Sequence, residues 1–222
     1  MTVQASGANT ERVFSKGFVG TSWDGTSARV IILPSAMRLF IAIEISPDVR
    51  AALAALLEEF RAIAPHVKWA RPENMHLTLK FLGETDSSKL TAMEAALSAL
   101  RSSQSVTLHS RGLGFFPNAK RAKVFWVGME SSPNLPALAV EIDQAMHRFG
   151  FPLEDRPFTP HLTLARFQPP GLPHKLAAAA QEYASREFGS LIAREFHLIE
   201  SKLKPTGAEY TTLQSFPFVA EV

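Results

Sequence analysis

The chain contains no cysteine, which removes disulfides, zinc-thiolate centres and thiol nucleophiles together. It also has no apolar run near the roughly 20 residues that a membrane-spanning helix needs, and its first residues lack the basic start and long apolar centre of a secretory signal. An excess of one charge is missing too: 23 Lys and Arg against 21 Asp and Glu leave a formal charge of +2. No general basic field is available to bind polyanions nonspecifically, so a nucleic-acid partner has to be gripped by a local site. These absences lead to the expectation of a soluble cytoplasmic protein without membrane association.

What is present describes an ordinary globular chain. Its 222 residues, 46% of them hydrophobic and 20% charged, suffice for one domain or two small ones. In residues 1–36, Gly7, Gly17, Gly20 and Gly25 sit among Ser, Thr and Asn, with no sustained helical or strand period before Val30. They are expected to be a flexible N-terminal extension, followed by a single domain over 37–222. Within that domain the first strand is expected at Arg38–Glu44, then a helix capped by Ser46-Pro47 and carrying Val49, Leu53, Leu56, Phe60 and Ile63 at helical spacing. A second helix is expected around Leu90–Leu100, a long hairpin over residues 106–127 whose pattern breaks at Leu113–Pro117, and a third helix from Leu135 to Phe149 ended by Gly150. An alanine-rich helix near Leu176–Glu187 and strands around Phe196–Leu203 and Tyr210–Phe218 complete the reading. The fold class is α+β: two lobes, each a mostly antiparallel sheet with helices on its outer face.

One tetrapeptide occurs twice, as His76-Leu77-Thr78-Leu79 and His161-Leu162-Thr163-Leu164. Successive side chains of a strand point to opposite faces, so each copy sets its His and Thr on one face and its leucines on the other. The copies lie roughly 85 residues apart, the length of a half-domain, which suggests two halves that each offer one imidazole and one hydroxyl to a shared cleft. Packing alone requires only the leucines. Imidazole titrates near neutral pH, so two facing histidines can act as acid and base in one reaction. The threonine hydroxyls can donate hydrogen bonds to non-bridging phosphoryl oxygens. Such a set suits a phosphodiester and calls for neither metal nor cofactor. The remaining histidines, His66, His109, His147, His174 and His197, read as structural.

The sequences His76-Leu77-Thr78-Leu79-Lys80-Phe81-Leu82-Gly83 and Thr159-Pro160-His161-Leu162-Thr163-Leu164-Ala165-Arg166 resemble the paired motif of the 2H phosphoesterase superfamily. The resemblance is specifically to its bacterial and archaeal RNA 2′,3′-cyclic phosphodiesterases, historically called 2′-5′ RNA ligases. It extends over Met37–Val222 and includes Met37–Ile43, Gly112–Pro117 and Pro205–Tyr210. It implies a bilobal, pseudo-two-fold fold with the motifs facing across a groove. It also implies metal-independent hydrolysis of an RNA 2′,3′-cyclic phosphate to a 2′-phosphomonoester. Carried over by motif position, His76 is the proton donor to the leaving ribose oxygen and His161 the base that activates water. The symmetric spacing by itself does not decide between them. Thr78 and Thr163 would hold the phosphate.

Arg166 matches a family position and a guanidinium can grip phosphate, yet strict alternation sets it on the leucine face; it reaches the cleft only if the strand bulges or ends there. Lys80 has the parity of the His-Thr face and reads as a solvated strand-end lysine. Phe116, with Phe115 and the basic turn Lys120-Arg121-Ala122-Lys123, is a candidate for stacking a base; Phe40 and Tyr210 stay open between groove and core. The expected partners are RNA ends or cyclic nucleotides, with the protein a monomer. Two alternatives stay open at this level: reversible 2′-5′ ligation of tRNA halves by the same groups, and a noncatalytic RNA- or nucleotide-binding module.

Overall fold

The computed structural model describes residues 36–100, 104–168, 170–205 and 207–218, so residues 1–35 of the expected extension lie outside it. The elements run β1 (Ala36–Glu44), α1 (Pro47–Ile63), β2 (Lys68–Trp69), β3 (His76–Asp86), α2 (Leu90–Ser98), β4 (Val106–Phe116), β5 (Val124–Ser131), α3 (Asn134–His147), β6 (His161–Arg166), α4 (His174–Glu182), β7 (Glu187–Ala193), β8 (Glu195–Lys204) and β9 (Gly207–Pro217). Local signals account for most boundaries. The Ser46 hydroxyl accepts from the Val49 amide to cap α1, with Pro47 in its first turn. After α3, Gly150 adopts φ +91°, which the chain uses to turn away from the helix.

All strand pairs are antiparallel and form two sheets, ordered β3-β1-β8-β9 and β2-β6-β5-β4-β7. The units β1-α1-β3 and β5-α3-β6 correspond, and the order β3-β1-β8-β9 is matched by β6-β5-β4-β7. This is the α+β, pseudo-two-fold arrangement expected from the duplicated tetrapeptide, with β2 added at one edge.

The helices are exchanged between the halves. α1 follows β1 but packs on the five-stranded sheet: its Phe60 ring lies 5.6 Å from Phe125 of β5 and 6.0 Å from Trp69 of β2. α3 leads into β6 but packs against β3 of the other sheet. One buried cluster consequently joins Leu39 and Ile41 of β1 to Phe125 and Val127 of β5, and the halves share a core.

The structure corrects three expectations. β4 does not break at Leu113; it absorbs Gly112, at φ +69°, as a bulge and pairs with β5 as far as Phe116. The alanine-rich helix stops at Glu182, and after a turn Glu187, the last residue expected in it, opens a strand, β7, whose Phe188 is buried. Lys80 is not solvated. Ala42 pairs with Thr78 and Ile41 with Lys80, so Leu79 is an extra residue in β3 and reverses the alternation after it.

Lys80 is thereby turned to the leucine side, where it is 2% exposed, ion-paired with Asp143 of α3 and donating to the Pro152 carbonyl at 2.9 Å. Removing one partner of a buried pair strands the other charge. Lys80→Met is expected to lower stability by about 3 kcal/mol, measured as an earlier midpoint in urea denaturation; an unchanged midpoint would show the pair to be dispensable.

Candidate active site

The two tetrapeptides form strands as expected, His76–Leu79 within β3 and His161–Leu164 within β6. Leu77, Leu79, Leu162 and Leu164 are all buried in the common core, while His76, Thr78, His161 and Thr163 remain partly accessible on the opposite face. The burial of four leucines fixes where two imidazoles and two hydroxyls point.

The imidazoles are held alike. His76 Nδ1 lies 2.8 Å from the Asn74 carbonyl, and His161 Nδ1 lies 2.8 Å from the Thr159 carbonyl, in both cases two residues earlier. A carbonyl oxygen can only accept, so Nδ1 carries the hydrogen and each neutral ring keeps Nε2 free. The segment before His76 is pinned on two sides: Arg50 of α1 donates to the Pro72 carbonyl at 2.7 Å, and the Asn74 side-chain amide to the Ala208 carbonyl of β9 at 2.8 Å. Backbone carbonyls leave no side-chain trace in a sequence, which is why this tautomer control is not readable there.

Aromatic rings bracket each imidazole. Phe40 stacks on His76 at 4.5 Å and Tyr210 meets it edge-on at 5.2 Å. Phe116 meets His161 edge-on at 4.9 Å, with Trp126 at 6.4 Å. Trp126 in turn lies over Gly114, where an added Cβ would fall 2.1 Å from the indole. Phe116 thus stands against the second histidine and outside the cavity lining described next; Phe115 stacks at 4.7 Å on the buried Phe125.

A cavity of about 1010 Å³ opens over this face, lined by His76, Thr78, Thr163 and Arg166 together with Arg38, Phe40, Lys68, Trp69, Phe81, Lys204 and Tyr210. Arg166 reaches it through a bulge. Trp126 pairs with Thr163 and Phe125 with Ala165, so Leu164 is the extra residue and Arg166 turns to the face of His161 and Thr163. The bulge in β3 does the same for Phe81, which is 51% exposed with the Arg38 guanidinium 5.2 Å above its ring. The two motifs therefore deliver a phenylalanine and an arginine at corresponding positions. Among the described residues, the cavity lining contains no carboxylate, and no three of His, Asp and Glu are arranged to hold a metal ion. No described helix is long and apolar enough to cross a membrane.

The model of the LigT-like phosphoesterases matches residues 43–126 and 127–210, one copy of the tetrapeptide in each. The chain belongs to the LigT-like phosphoesterase family. Among its relatives, a protein from Archaeoglobus fulgidus named RNA 2′,3′-cyclic phosphodiesterase is 33% identical over 81% of this chain and 99% of its own length. A protein of the same name from Methanocaldococcus jannaschii is 33% identical over 81% of this chain and all of its own. A crystal structure of a Thermus thermophilus protein superposes with a TM-score of 0.70 at 31% identity, covering 84% of this chain and 100% of that one. The crystal structure of E. coli LigT complexed with 3′-AMP gives 0.66 at 27% identity, covering 83% and 99%.

In this member of the family both histidines are held in the neutral form at neutral pH. Burial is the main cause for each, opposed by the hydrogen bond to the backbone carbonyl, and the positive charge of Arg166 disfavours protonation of both. Arg50 adds to the effect on His76, whose pKa falls from 6.5 to about 4. Because folded His76 binds its proton less tightly than the unfolded chain does, the unfolded state takes up more protons as the pH falls below 6.5. This contribution to stability is complete above pH 6.5 and is lost as the pH falls toward about 4. Denaturation midpoints measured across that range are expected to drop, and to drop less in His76→Ala. Equal slopes in the two proteins would contradict a depressed His76.

Proposed function

We propose that this phosphoesterase hydrolyses 2′,3′-cyclic phosphates at RNA ends to 2′-phosphomonoesters, with His76 and His161 as a metal-independent acid-base pair. The observation that carries the reading is the matched presentation of two Nδ1-anchored imidazoles and two threonines on one face, where His76, both threonines and Arg166 line a cavity with several cations and, among the described residues, no carboxylate. Cations and hydroxyl donors favour the anionic phosphodiester, and Thr78, Thr163 and Arg166 stabilise the charge on its non-bridging oxygens as the reaction proceeds.

In-line displacement needs the attacking and leaving oxygens on opposite sides of phosphorus. The roomy part of the groove lies on the His76 side, toward Trp69, Tyr210 and the β8-β9 turn, where a nucleoside can be accommodated; His161 stands outside that lining. This supports His76 as the group facing the ribose and His161 as the group facing water. His161 Nε2 takes a proton from water while its oxygen bonds to phosphorus. The bond from phosphorus to the 3′-oxygen breaks, and protonated His76 gives its Nε2 proton to that oxygen. Binding of the anionic substrate next to His76 offsets the burial that otherwise keeps the ring neutral, so the acid is charged when it is needed. The leaving oxygen stays on the ribose, and the product carries a 2′-phosphate.

Loss of a positioned acid or base costs about 10²–10⁴-fold in rate. His76→Ala and His161→Ala are each expected to lose at least that much activity on a 2′,3′-cyclic nucleotide while retaining the far-ultraviolet circular dichroism of the parent. EDTA is expected to leave the parent's rate unchanged. Undiminished turnover in either variant, or inhibition by EDTA that added metal reverses, would overturn the proposed chemistry.

A further inference from the structure

The groove contains a like-charge pair that the acid-base chemistry does not use. Lys68 and Arg166 are directly opposed Cα partners in the antiparallel ladder of β2 and β6, and both side chains line the same cavity. Directly opposed residues share a face of the sheet with Cα atoms about 4.5–5.5 Å apart, and equal charges at such positions repel. A carboxylate between them is the ordinary remedy. Here the cavity lining has none, and among the described residues neither Lys68 nor Arg166 makes an ion pair. Three further cations line the wall: Lys204 pairs with Glu209 at 2.6 Å, Arg38 lies over Phe81, and Arg71 lies beside Gly207 at the β8-β9 turn.

Only one strand spacing separates the two cations. Both side chains are exposed, but Arg166 is on the strand that carries His161 and is close enough to both histidines to disfavour their protonation, whereas Lys68 stands one strand further out, on the edge of the sheet. We infer that Lys68 forms a second anion site, for the phosphodiester on the 5′ side of the terminal nucleoside, while Arg166 holds the reacting phosphate. Two phosphates joined through one ribose then answer two adjacent cations. The groove thereby selects a polynucleotide end, or a nucleotide bearing a 5′-phosphate, over a 2′,3′-cyclic nucleotide with a free 5′-hydroxyl. Trp69, next to Lys68 in β2, is anchored by donating its indole hydrogen to the Ala64 carbonyl at 3.1 Å, which keeps this short edge strand in place.

This inference rests on the proposed cyclic phosphodiesterase reading, and its test separates the two. The kcat/KM of the full chain is compared on a 2′,3′-cyclic mononucleotide with a 5′-hydroxyl and on a dinucleotide ending in the same cyclic phosphate, for the parent, Lys68→Ala and Lys68→Arg. The expected result is a preference of the parent for the dinucleotide. It should shrink by about tenfold in Lys68→Ala, chiefly through KM, the size of one charge-assisted contact. Lys68→Arg should restore it. A preference that survives Lys68→Ala overturns the second anion site and leaves the phosphodiesterase reading intact. Should the parent turn over neither substrate, that reading fails. The inference is then judged by fluorescence anisotropy with a labelled oligonucleotide ending in a 3′-phosphate. The slope of log affinity against log salt should fall by about one ion in Lys68→Ala, and an unchanged slope overturns it.

Discussion

A strand whose leucines are buried cannot slip by one residue without turning its polar face into the core. That constraint acts twice in this protein, on Leu77 and Leu79 in β3 and on Leu162 and Leu164 in β6, all within one continuous apolar cluster. Everything at the site follows from it: the parity of the imidazoles, the parity of the hydroxyls, and the distance over which both can be trusted. The parity ends at the extra leucine of each motif, Leu79 and Leu164. Beyond these bulges the side chains exchange faces, so Lys80 and Ala165 go inward and Phe81 and Arg166 go out to the groove. A feature that looks like a departure from regular pairing is what gives the site its guanidinium.

The exchanged helices make the relation between the halves rigid as well as symmetric. Because α1 lies on the sheet of β5 and α3 on the sheet of β3, moving one sheet relative to the other would open apolar contacts of both helices. The Lys80-Asp143 pair sits in one of these junctions, and Asp143 also accepts from the Glu154 amide at 3.1 Å, in the segment that leads to His161. The bulge that releases Phe81 to the groove on one side therefore fastens β3 to the approach of the second histidine on the other. Acid-base pairs are sensitive to their mutual placement, and for the proposed pair that placement is set by packing between the halves of the chain.

Much of this is legible in the sequence because it depends on period and repetition. The α+β class, the strand identity of both tetrapeptides, the stripe Val49, Leu53, Leu56 and Phe60 of α1, and the turn at Gly150 follow from local rules. The failures have a common cause. A bulge is a relation between two strands, so the reversal that buries Lys80 and exposes Arg166 has no signature within either motif; alternation could state only that Arg166 needed one. β7 is hidden because Glu187–Ala193 carries a glycine in its middle and owes its strand character to pairing with β4. Lys68 escapes a sequence reading for the same reason, since its meaning comes from the residue across the ladder.

The electrostatics of the groove are unbalanced in the resting protein, and the imbalance is directional. Arg38, Lys68, Arg71, Arg166 and Lys204 line a surface that, among the described residues, has no carboxylate, in a chain whose overall charge is only +2. Such a surface attracts anions locally without recruiting them elsewhere. Burial, reinforced by the charge of Arg166, disfavours the protonated form of both imidazoles. An arriving phosphate lowers the potential felt by both rings, and the ring closest to it gains basicity most. In the proposed reaction, substrate binding and charging of the acid are then one event: the anion that the reaction consumes is also what supplies the protonation state it requires. A neutral molecule entering the cavity would bring no negative charge to offset the burial of the rings.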